Sequence, residues 1–322
     1  MKGEAPMEKK IIDQDIMQSL SKTEFNYERL EQPAKSQVTT VSDYNRDLLV
    51  SVGRGHGGLY TFNPNKNSFQ RKYEGIFAGL IKYKNQFMAL KQPNELIIFD
   101  EHLNIKRVVE VHDKSISGLH GIKVSNDGLI YIVVSQQNKV IVYEEQTLQK
   151  QAEFILSTPE NDVHHINDVL VIEDSILLSM FSVSGGWKDK LPEQWDGAIV
   201  AFDRHDFKPK GIIIDNLTAP HSISMNGDNL YYCDSLNLNV SKFDIGLNQS
   251  QVVAQFTGFT RGLHFDNNIL VVGQSKMKHL QDKNHKFSNV SVDGGVHLYD
   301  FDKKISRFIK LPIGNPYAIV PY

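Results

Sequence analysis

The sequence predicts an all-β protein, a six-bladed β-propeller in which the first and last strands share one blade. The main observation is a short apolar strand that recurs six times, with spacings of 42, 45, 56, 40 and 56 residues between equivalent positions. These positions are Leu80, Ile122, Asn167, Ile223, Leu263 and Ile319. Periods of this length are typical of propellers and other repeat folds. The second observation is the turn chemistry, because Asp-Gly and Asn-Gly pairs separate alternating apolar runs, as they do in antiparallel hairpins.

The first element in chain order is a charged, amide-rich extension over residues 1–36, and the propeller is expected over residues 37–322. Five apolar residues of the extension recur at nearly helical spacing. They are Ile11, Ile12, Ile16, Met17 and Leu20. The pattern predicts a short amphipathic helix packed on the outside of the propeller, and contact with a partner protein is the alternative interpretation.

The third repeat illustrates the predicted blade. Its apolar runs at 122–124, 129–134 and 140–143 are separated by turns at 126–128 and 136–138. Four short antiparallel strands in each repeat would form one propeller blade. Six blades are predicted, with seven as the alternative count.

The two ends of the chain are expected to complete each other. The last apolar strand, at 317–320, has no outer strands after it, whereas the strands at 48–52 and 59–62 have no inner strand before them. Together they would form one blade, and such closure removes the exposed sheet edges of an open array.

Two repeats carry insertions, over residues 184–197 and 276–289. Loops of this kind belong on the rim of a propeller, where lids and recognition surfaces form. The first insertion contains both tryptophans, Trp187 and Trp195. We expect an aromatic lid over the axis, and packing at the rim is the alternative.

Composition limits the function classes. The net charge of the 322 residues is -3, and Lys and Arg are scattered, so nucleic acid is not an expected partner. One cysteine allows no internal disulfide, and the N-terminus shows no cleavable apolar segment. An apolar run of about 20 residues, enough to cross a bilayer, is also missing from the sequence. We therefore expect a soluble, cytoplasmic protein without a membrane partner.

Three histidines occupy equivalent places, each two residues before the repeated apolar position: His120, His165 and His221. If the repeats are blades, these imidazoles meet at the mouth of the central channel, where three histidines form an open, catalytic type of metal site. A divalent ion such as zinc or another transition metal is the predicted cofactor. Asn167 adds an amide oxygen, so calcium also fits. The alternative is a set of separate polar residues around a water-filled channel.

His164 and His165 point to opposite faces of a strand, so only one of them can face the channel. His165 is preferred because it keeps Asn167 on the same face, and a register slip would substitute His164.

Other candidates surround this predicted metal site. Arg261 and Tyr317 occupy the fifth and sixth equivalent places, and they would bind an anionic group and transfer a proton, respectively. Pairing of Arg261 with a carboxylate is the alternative. Lys276 is a further catalytic and substrate-binding candidate, and Trp187 and His56 are substrate-binding candidates.

Carboxylates that orient metal-binding histidines are common in such sites. The sequence offers Asp168 and Asp234 for that role.

From about residue 157 to 322 the chain resembles a bacterial propeller family known as a domain of unknown function. Five strings carry the resemblance: His165-Ile166-Asn167, Gly185-Gly186-Trp187, Ala219-Pro220-His221-Ser222, Arg261-Gly262-Leu263 and Gly273-Gln274-Ser275-Lys276. The resemblance implies the fold and supports these positions, but it implies no activity.

More distantly, the blade pattern is similar to the gluconolactonase and paraoxonase group, which holds calcium in the channel. Asn167 matches such a ligand, whereas His221 stands where that group has an aspartate, which favours a softer metal. Three channel histidines are also similar to the zinc-binding propeller lyase that cleaves peptidyl-hydroxyglycine. Only the geometry of that lyase, and not its reaction, is implied for this chain.

Two functions follow as hypotheses. The first is a metal-dependent hydrolase, lyase or epimerase that acts on a small anionic or sugar-like molecule at the channel mouth. The second is a non-catalytic propeller that binds a protein or glycan on its rim, with the N-terminal extension as a docking arm. The fold hosts both classes.

Overall fold

Six sheets surround a central channel and confirm the predicted propeller; each has four antiparallel strands, and one of them has a fifth, parallel strand at its outer edge. The structure is a computed structural model that describes residues 9–11, 41, 43–53, 56–66, 68–111, 118–158, 161–276 and 291–322. Within these residues the helical segments are single turns of three residues each, as at Ser135–Gln137 and Trp187–Asp189.

The strands follow one another in chain order with few residues between them. The first half of the chain contains β1 (Lys9–Ile11), β2 (Leu48–Val52), β3 (Gly58–Asn63), β4 (Ser68–Glu74), β5 (Phe77–Tyr83), β6 (Gln86–Lys91), β7 (Glu95–Asp100), β8 (Ile105–Glu110), β9 (Leu119–Val124), β10 (Leu129–Val134), β11 (Lys139–Glu144) and β12 (Lys150–Ile155). The second half contains β13 (Ile166–Ile172), β14 (Ser175–Met180), β15 (Gly197–Asp203), β16 (Pro209–Leu217), β17 (Pro220–Asn226), β18 (Asn229–Asp234), β19 (Asn239–Asp244), β20 (Gln249–Gln255), β21 (Phe259–Asp266), β22 (Ile269–Ser275), β23 (Gly295–Asp300), β24 (Ile305–Lys310) and β25 (Pro316–Pro321).

The six repeated strands are the inner strands of the blades, as predicted. Strands β5, β9, β13, β17 and β21 each begin a sheet whose next three strands follow in sequence order, and β25 is the inner strand of the remaining blade. That blade has the order β25-β2-β3-β4, with Val50 opposite Ile319 and Leu48 opposite Pro321. The two ends of the chain therefore share a blade, and the ring closes through hydrogen bonds.

The N-terminal extension is described only at β1. This strand runs parallel to β12 at the outer edge of the third blade, with Lys9 opposite Glu153 and Ile11 opposite Ile155. The helix expected within residues 1–36 otherwise lies outside the described residues.

Apolar side chains fill the spaces between neighbouring blades. The third and fourth blades share one cluster in which Val140, Phe154, Ile166, Ile176 and Val200 are completely buried. Burying such a side chain contributes about 1.5–3 kcal/mol, so the interfaces between blades supply much of the folding free energy. Outer strands such as β4 are mostly exposed and polar.

Side-chain hydrogen bonds also join each blade to the next one. The hydroxyls of four linking serines, located at or near the end of a second strand, donate to the backbone carbonyl at the start of the next inner strand. These bonds are Ser51 to Ala78 (2.5 Å), Ser135 to Ile166, Ser235 to Thr260 (2.7 Å) and Ser275 to Pro316 (3.1 Å). Gln92 bonds in the same way to the Leu119 carbonyl at 2.6 Å. These contacts hold the starts of the inner strands, where the site residues lie.

Each inner strand also contains a register shift near its start. The shifts lie between Phe77 and Leu80, Leu119 and Ile122, Ile166 and Asp168, His221 and Ser224, Arg261 and Leu263, and Pro316 and Ala318. A bulge of this kind leaves backbone groups unpaired and changes the direction of a side chain. The repeated bulges thus lie where side chains turn toward the channel.

Candidate functional site

The channel contains a cavity of about 570 Å³ that is lined by all six inner strands. Ligand sites usually have volumes of about 300–1,000 Å³. At one end of the cavity lie His120, His221 and Tyr317. Together with His165 and Arg261 they form what we call the mouth cluster.

Ring contacts show that the mouth cluster is continuous. The His120 ring centroid lies 5.3 Å from that of His165 and 5.7 Å from that of Tyr317. The guanidinium carbon of Arg261 lies 4.4 Å from the Tyr317 ring centroid. Phe181 contacts both His165, at 4.3 Å, and His221, at 5.4 Å. The structure therefore brings together residues of five blades at the predicted place.

His165 is held by a carboxylate that the sequence pattern did not indicate. Its Nδ1 lies 2.8 Å from Asp162 Oδ2, and the side chains of both residues are buried. Trp187 donates from Nε1 to the Asp162 backbone carbonyl at 2.7 Å and packs against the His165 ring at 4.5 Å. His165 itself has a positive φ of 48°. A carboxylate on Nδ1 fixes the ring orientation and turns Nε2 away from Asp162.

His221 is buried, with 4% of its surface exposed, and its protonation state follows from its contacts. Nδ1 lies 2.8 Å from the Ala219 carbonyl oxygen and 3.0 Å from Ser235 Oγ. A carbonyl only accepts, so Nδ1 carries the hydrogen and Nε2 carries the lone pair. Burial, together with the charge of Arg261, holds the pKa of His221 well below its usual value, so the ring is neutral at pH 7. Nε2 is buried and makes no hydrogen bond with the described residues.

Asn167 presents an oxygen to the same region. Its Nδ2 donates to the carbonyls of His165 and Pro220 at 3.2 and 3.1 Å. Its Oδ1 is buried and accepts no hydrogen bond within the described part of the chain. A buried oxygen without a donor indicates that a ligand, ion or water completes the site.

His165 rather than His164 belongs to the mouth cluster. The His164 ring is fully buried, and its Nδ1 bonds with the Ser182 carbonyl at 2.9 Å. Burial lowers the pKa of His164, so it is a neutral residue of the blade interior. The preferred register of the sequence prediction is thus the observed one.

Arg261 is stacked rather than ion-paired. Its guanidinium carbon lies 4.8 Å from the Phe259 ring centroid and 4.4 Å from the Tyr317 ring centroid. Arg261 is 5% exposed, and its Nε makes no hydrogen bond with any described residue. Arg261 forms no ion pair with any described residue, so the predicted alternative, pairing of Arg261 with a carboxylate, is not observed. Aromatic stacking stabilises the cation while leaving its donors available.

A glycine makes room for Tyr317. A Cβ atom on Gly53 would lie 2.4 Å from the Tyr317 ring, so a larger residue there would displace the phenol. Gly53 begins the glycine-rich stretch that the sequence predicts to be a hairpin turn. Its described residues lead from β2 into β3.

Of the predicted substrate-binding residues, two lie outside the mouth cluster and a third reaches it only as a packing residue. His56 is exposed and its backbone carbonyl accepts from the Tyr60 hydroxyl, outside the mouth cluster. Lys276 is exposed beside Gly314, with no described contact to the mouth cluster. Trp187 does reach the site, but as a buried wall behind His165. The second predicted insertion lies outside the described residues beyond Lys276.

The prediction that Asp168 and Asp234 orient the histidines is wrong. Asp168 accepts from the backbone amides of Val169 and Ile223, and Asp234 accepts from Thr218 N and Asn237. The His165 ring is instead oriented by Asp162, and the His221 ring by Ala219 and Ser235. The positions of these residues relative to the two rings depend on the segments between strands, which strand alternation does not predict.

The sequence analysis singled out Trp187 and Trp195 of the aromatic wall but missed Phe181 and Phe259. Phe181, Trp187, Trp195, Ala219, Leu236 and Phe259 form one buried cluster beside the rings of His165 and His221. The available signal was the position of Phe181 directly after β14, where other blades carry a linking serine.

Among the residues that the structure describes, no group of three or more His, Cys, Asp or Glu side chains is placed to hold one metal ion. The donor types nevertheless suit a transition metal, since Nδ1 of His221 is bound to the Ala219 carbonyl and its buried Nε2 makes no hydrogen bond with the described residues. Ligation by all three histidines would require the rings to approach one another.

Comparison with known families gives a match to a domain of unknown function, DUF4915, over residues 119–299. The match covers more than half of the chain. The chain belongs to the DUF4915 family. The matched region begins at residue 119, before residue 157 where the resemblance noted in the sequence begins, and it ends before β24 and β25. It includes four of the five mouth-cluster residues, all except Tyr317. Comparison with curated proteins finds no match.

The described part of the chain contains no helix long and apolar enough to cross a membrane.

Proposed function

We propose that this DUF4915 protein is an enzyme that acts on a small anionic or sugar-like molecule at the channel mouth, with a divalent transition metal as its cofactor. The observation that carries the proposal is that His120, His221 and Tyr317 line one cavity, with His165 beside His120 and Arg261 beside Tyr317. The unused Nε2 of His221 and Oδ1 of Asn167 support it, because buried polar atoms without partners are rare outside functional sites.

Arg261 would bind the substrate anion. A guanidinium that is stacked between two rings keeps its donors in a fixed plane and matches a carboxylate or phosphate through two hydrogen bonds. The absence of a described carboxylate partner leaves its charge uncompensated within the protein. This arrangement would orient the substrate relative to the histidines.

His221 and Tyr317 would move the proton. A neutral His221 with its lone pair on Nε2 is a suitable proton acceptor, and the Ala219 carbonyl would stabilise the imidazolium that forms. Tyr317 would donate from its hydroxyl on the other side of the cavity. Hydrolase, lyase and epimerase reactions all use such a pair.

His120, His165 and His221, with Asn167, would hold the metal. A divalent ion bound there polarises a carbonyl or lowers the pKa of water. Asp162 and Trp187 would keep the His165 ring in place while the rings come together. We also propose a cytoplasmic location, which the single, buried and unpaired cysteine supports.

Metal analysis of protein purified without a histidine tag tests the proposal. We expect about one transition-metal ion per chain, and loss of that ion in the His165→Ala, His221→Ala double variant. His205→Ala is the matched control, because His205 is an exposed histidine paired with Asp174 on an outer loop. Thermal unfolding would establish that each variant is folded.

Absence of bound metal in the wild-type protein after incubation with zinc, manganese and calcium would overturn the metal proposal. That result, combined with selective capture of a protein or glycan, would favour the alternative of a non-catalytic propeller.

A further inference from the structure

A second ring of side chains lies beside the mouth cluster, further along the inner strands. Each of its members follows the repeated apolar position by one residue. They are Ile81, Lys123, Asp168, Ser224, His264 and Val320. All six line the cavity and all six are partly exposed, as expected of side chains that face a solvent-filled channel.

The second ring has two different sides. Lys123, Asp168, Ser224 and His264 come from four consecutive blades and form a polar arc. Ile81 and Val320 come from the two remaining blades and form an apolar side. A cavity with polar groups on one side and aliphatic groups on the other is suited to a small molecule that has one charged end.

Lys123 is the cation of this arc. Its ammonium lies within 4.0 Å of no carboxylate and has no hydrogen-bond partner among the described residues. Burial lowers the pKa of Lys123, and the nearby Asp168 opposes that effect. An ammonium placed in a cavity without a partner is stabilised by an anion that enters it.

Asp168 does not neutralise Lys123 by direct contact. Its two oxygens accept from the backbone amides of Val169, at 2.9 Å, and Ile223, at 3.1 Å. The carboxyl packs over Gly121, where a Cβ would lie 2.6 Å from Oδ1.

The remaining charges of the channel have one sign. Lys82 also lines the cavity, and Asp168 is the sole acidic residue among the described lining residues. His264 has a buried Nε2 that makes no hydrogen bond with the described residues, and burial lowers its pKa to about 4. The described lining thus has two lysines against one carboxyl group, and this excess of positive charge favours anions over neutral molecules.

We infer that the second ring is an oxyanion subsite, in which a carboxylate or phosphate of the ligand binds Lys123 while Ser224 and His264 bond to the groups beside it. The reacting part of the ligand then lies at the mouth cluster. This inference rests on the proposed function and deepens it, because it makes the substrate a small molecule with an oxyanion beside its reacting part. The subsite itself requires no metal.

Titration calorimetry with matched anionic and neutral probes tests the subsite. We expect succinate and methyl phosphate to bind the wild-type protein and succinamide not to bind. Lys123→Met, which keeps the length of the side chain, should weaken succinate binding by about tenfold or more, since one charge-assisted hydrogen bond contributes about 1.5–3 kcal/mol. Lys123→Arg should retain most of the affinity. Lys106→Met, on the exposed face of β8, is the matched control and should bind as the wild type does.

Equal binding of succinate by the wild type and Lys123→Met, or binding of succinamide as tight as that of succinate, would overturn the subsite. Metal content measured on the same samples separates the two proposals. If succinate binding depends on Lys123 and no metal is bound, the subsite stands and the metal proposal fails. If metal is bound and succinate binding does not depend on Lys123, the metal proposal stands and the subsite fails. A preference for methyl phosphate or succinate identifies which oxyanion the channel selects.

Discussion

At the scale of single residues, the channel gains its chemistry from a few side chains whose partners are unusual. Asp162 holds His165, the Ala219 carbonyl fixes the tautomer of His221, and two rings hold Arg261. Of these groups, His221 lines the cavity, and its buried Nε2 makes no hydrogen bond with the described residues. The contact that fixes its tautomer thus leaves its lone pair available.

Asp162→Asn tests the support of His165. The amide would remove the charge beside Nδ1 and weaken the preference for the ring orientation, so metal affinity should fall by about 10- to 100-fold. Competition with a chromophoric chelator measures this. Asp189→Asn, an exposed position in the loop between β14 and β15, should leave the affinity unchanged. An unchanged affinity in Asp162→Asn would mean that the metal does not use His165.

Asp168 predicts a pH dependence of anion binding. Its pKa in the folded protein is raised to about 7, so the carboxyl is neutral below that pH and negative above it. Succinate binding should therefore weaken as the pH rises from 6 to 8, because a negative charge develops near Lys123. The other titratable or charged groups that line the channel or interact with Asp168 are Lys82, Tyr83, His120, Lys123, His221, Cys233, His264 and Tyr317.

Asp168→Asn is the check on that assignment. It should flatten the pH dependence between pH 6 and 8 while succinate still binds. A pH dependence of equal size in the variant would assign the titration to another channel group.

At the scale of elements, the inner strands are positioned by their links to the preceding blade. Ser235 donates to the Thr260 carbonyl and also contacts His221 Nδ1. The bulges beside these links turn the site residues toward the channel. Blade-to-blade hydrogen bonds therefore serve both stability and site geometry.

Ser235→Ala should lower the free energy of unfolding by about 1–3 kcal/mol, because it leaves the buried Thr260 carbonyl without its donor. Urea unfolding measures the change. Ser68→Ala, at the exposed start of β4, is the matched control and should change stability by less than about 0.5 kcal/mol. Equal effects of the two substitutions would show that the linking serine contributes nothing specific.

Gly121→Ala tests the close contact between the third and fourth inner strands. The added Cβ would lie 2.7 Å from Asp168 Cα and 2.9 Å from the Asn167 carbonyl oxygen, neither of which is the end of a flexible chain. We expect a loss of about 1–3 kcal/mol of unfolding free energy. Gly246→Ala, where the nearest atom would be 3.5 Å away, is the control. A neutral effect at Gly121 would mean that the blades separate more easily than their packing indicates.

At the scale of the whole molecule, the ring is closed by one strand. β25 pairs with β2 and contacts β21 and β5 on either side. It also places Tyr317 in the mouth cluster. Closure by β25 therefore both removes a sheet edge and completes the site.

Removal of residues 316–322 should open the ring. The loss exposes the edge of β2 and the apolar cluster that includes Val50 and Ile319. We expect the truncated chain to lose cooperative urea unfolding and to form aggregates on gel filtration. A monomeric truncated chain with a single sharp transition would contradict this account of closure.

The fold was predictable because its signals are local. Strand alternation, Asp-Gly turns and the spacing of Leu80, Ile122 and their equivalents define the blades without any knowledge of distant contacts. Closure also followed, since unpaired inner and outer strands remained at the two ends. Asp162 and the linking serines were not predictable in this way, because their partners lie across loops or on the next blade.

The sequence by itself determined the number of blades and which residues face the channel mouth, because a strand repeats its geometry wherever its pattern repeats. Only the tertiary structure decided which atoms remain available there, such as His221 Nε2 and Asn167 Oδ1, and that Arg261 is stacked rather than paired. It also revealed the second ring around Lys123. The physical reason is that distances between side chains of different blades depend on how the blades pack around the axis, which no local pattern specifies.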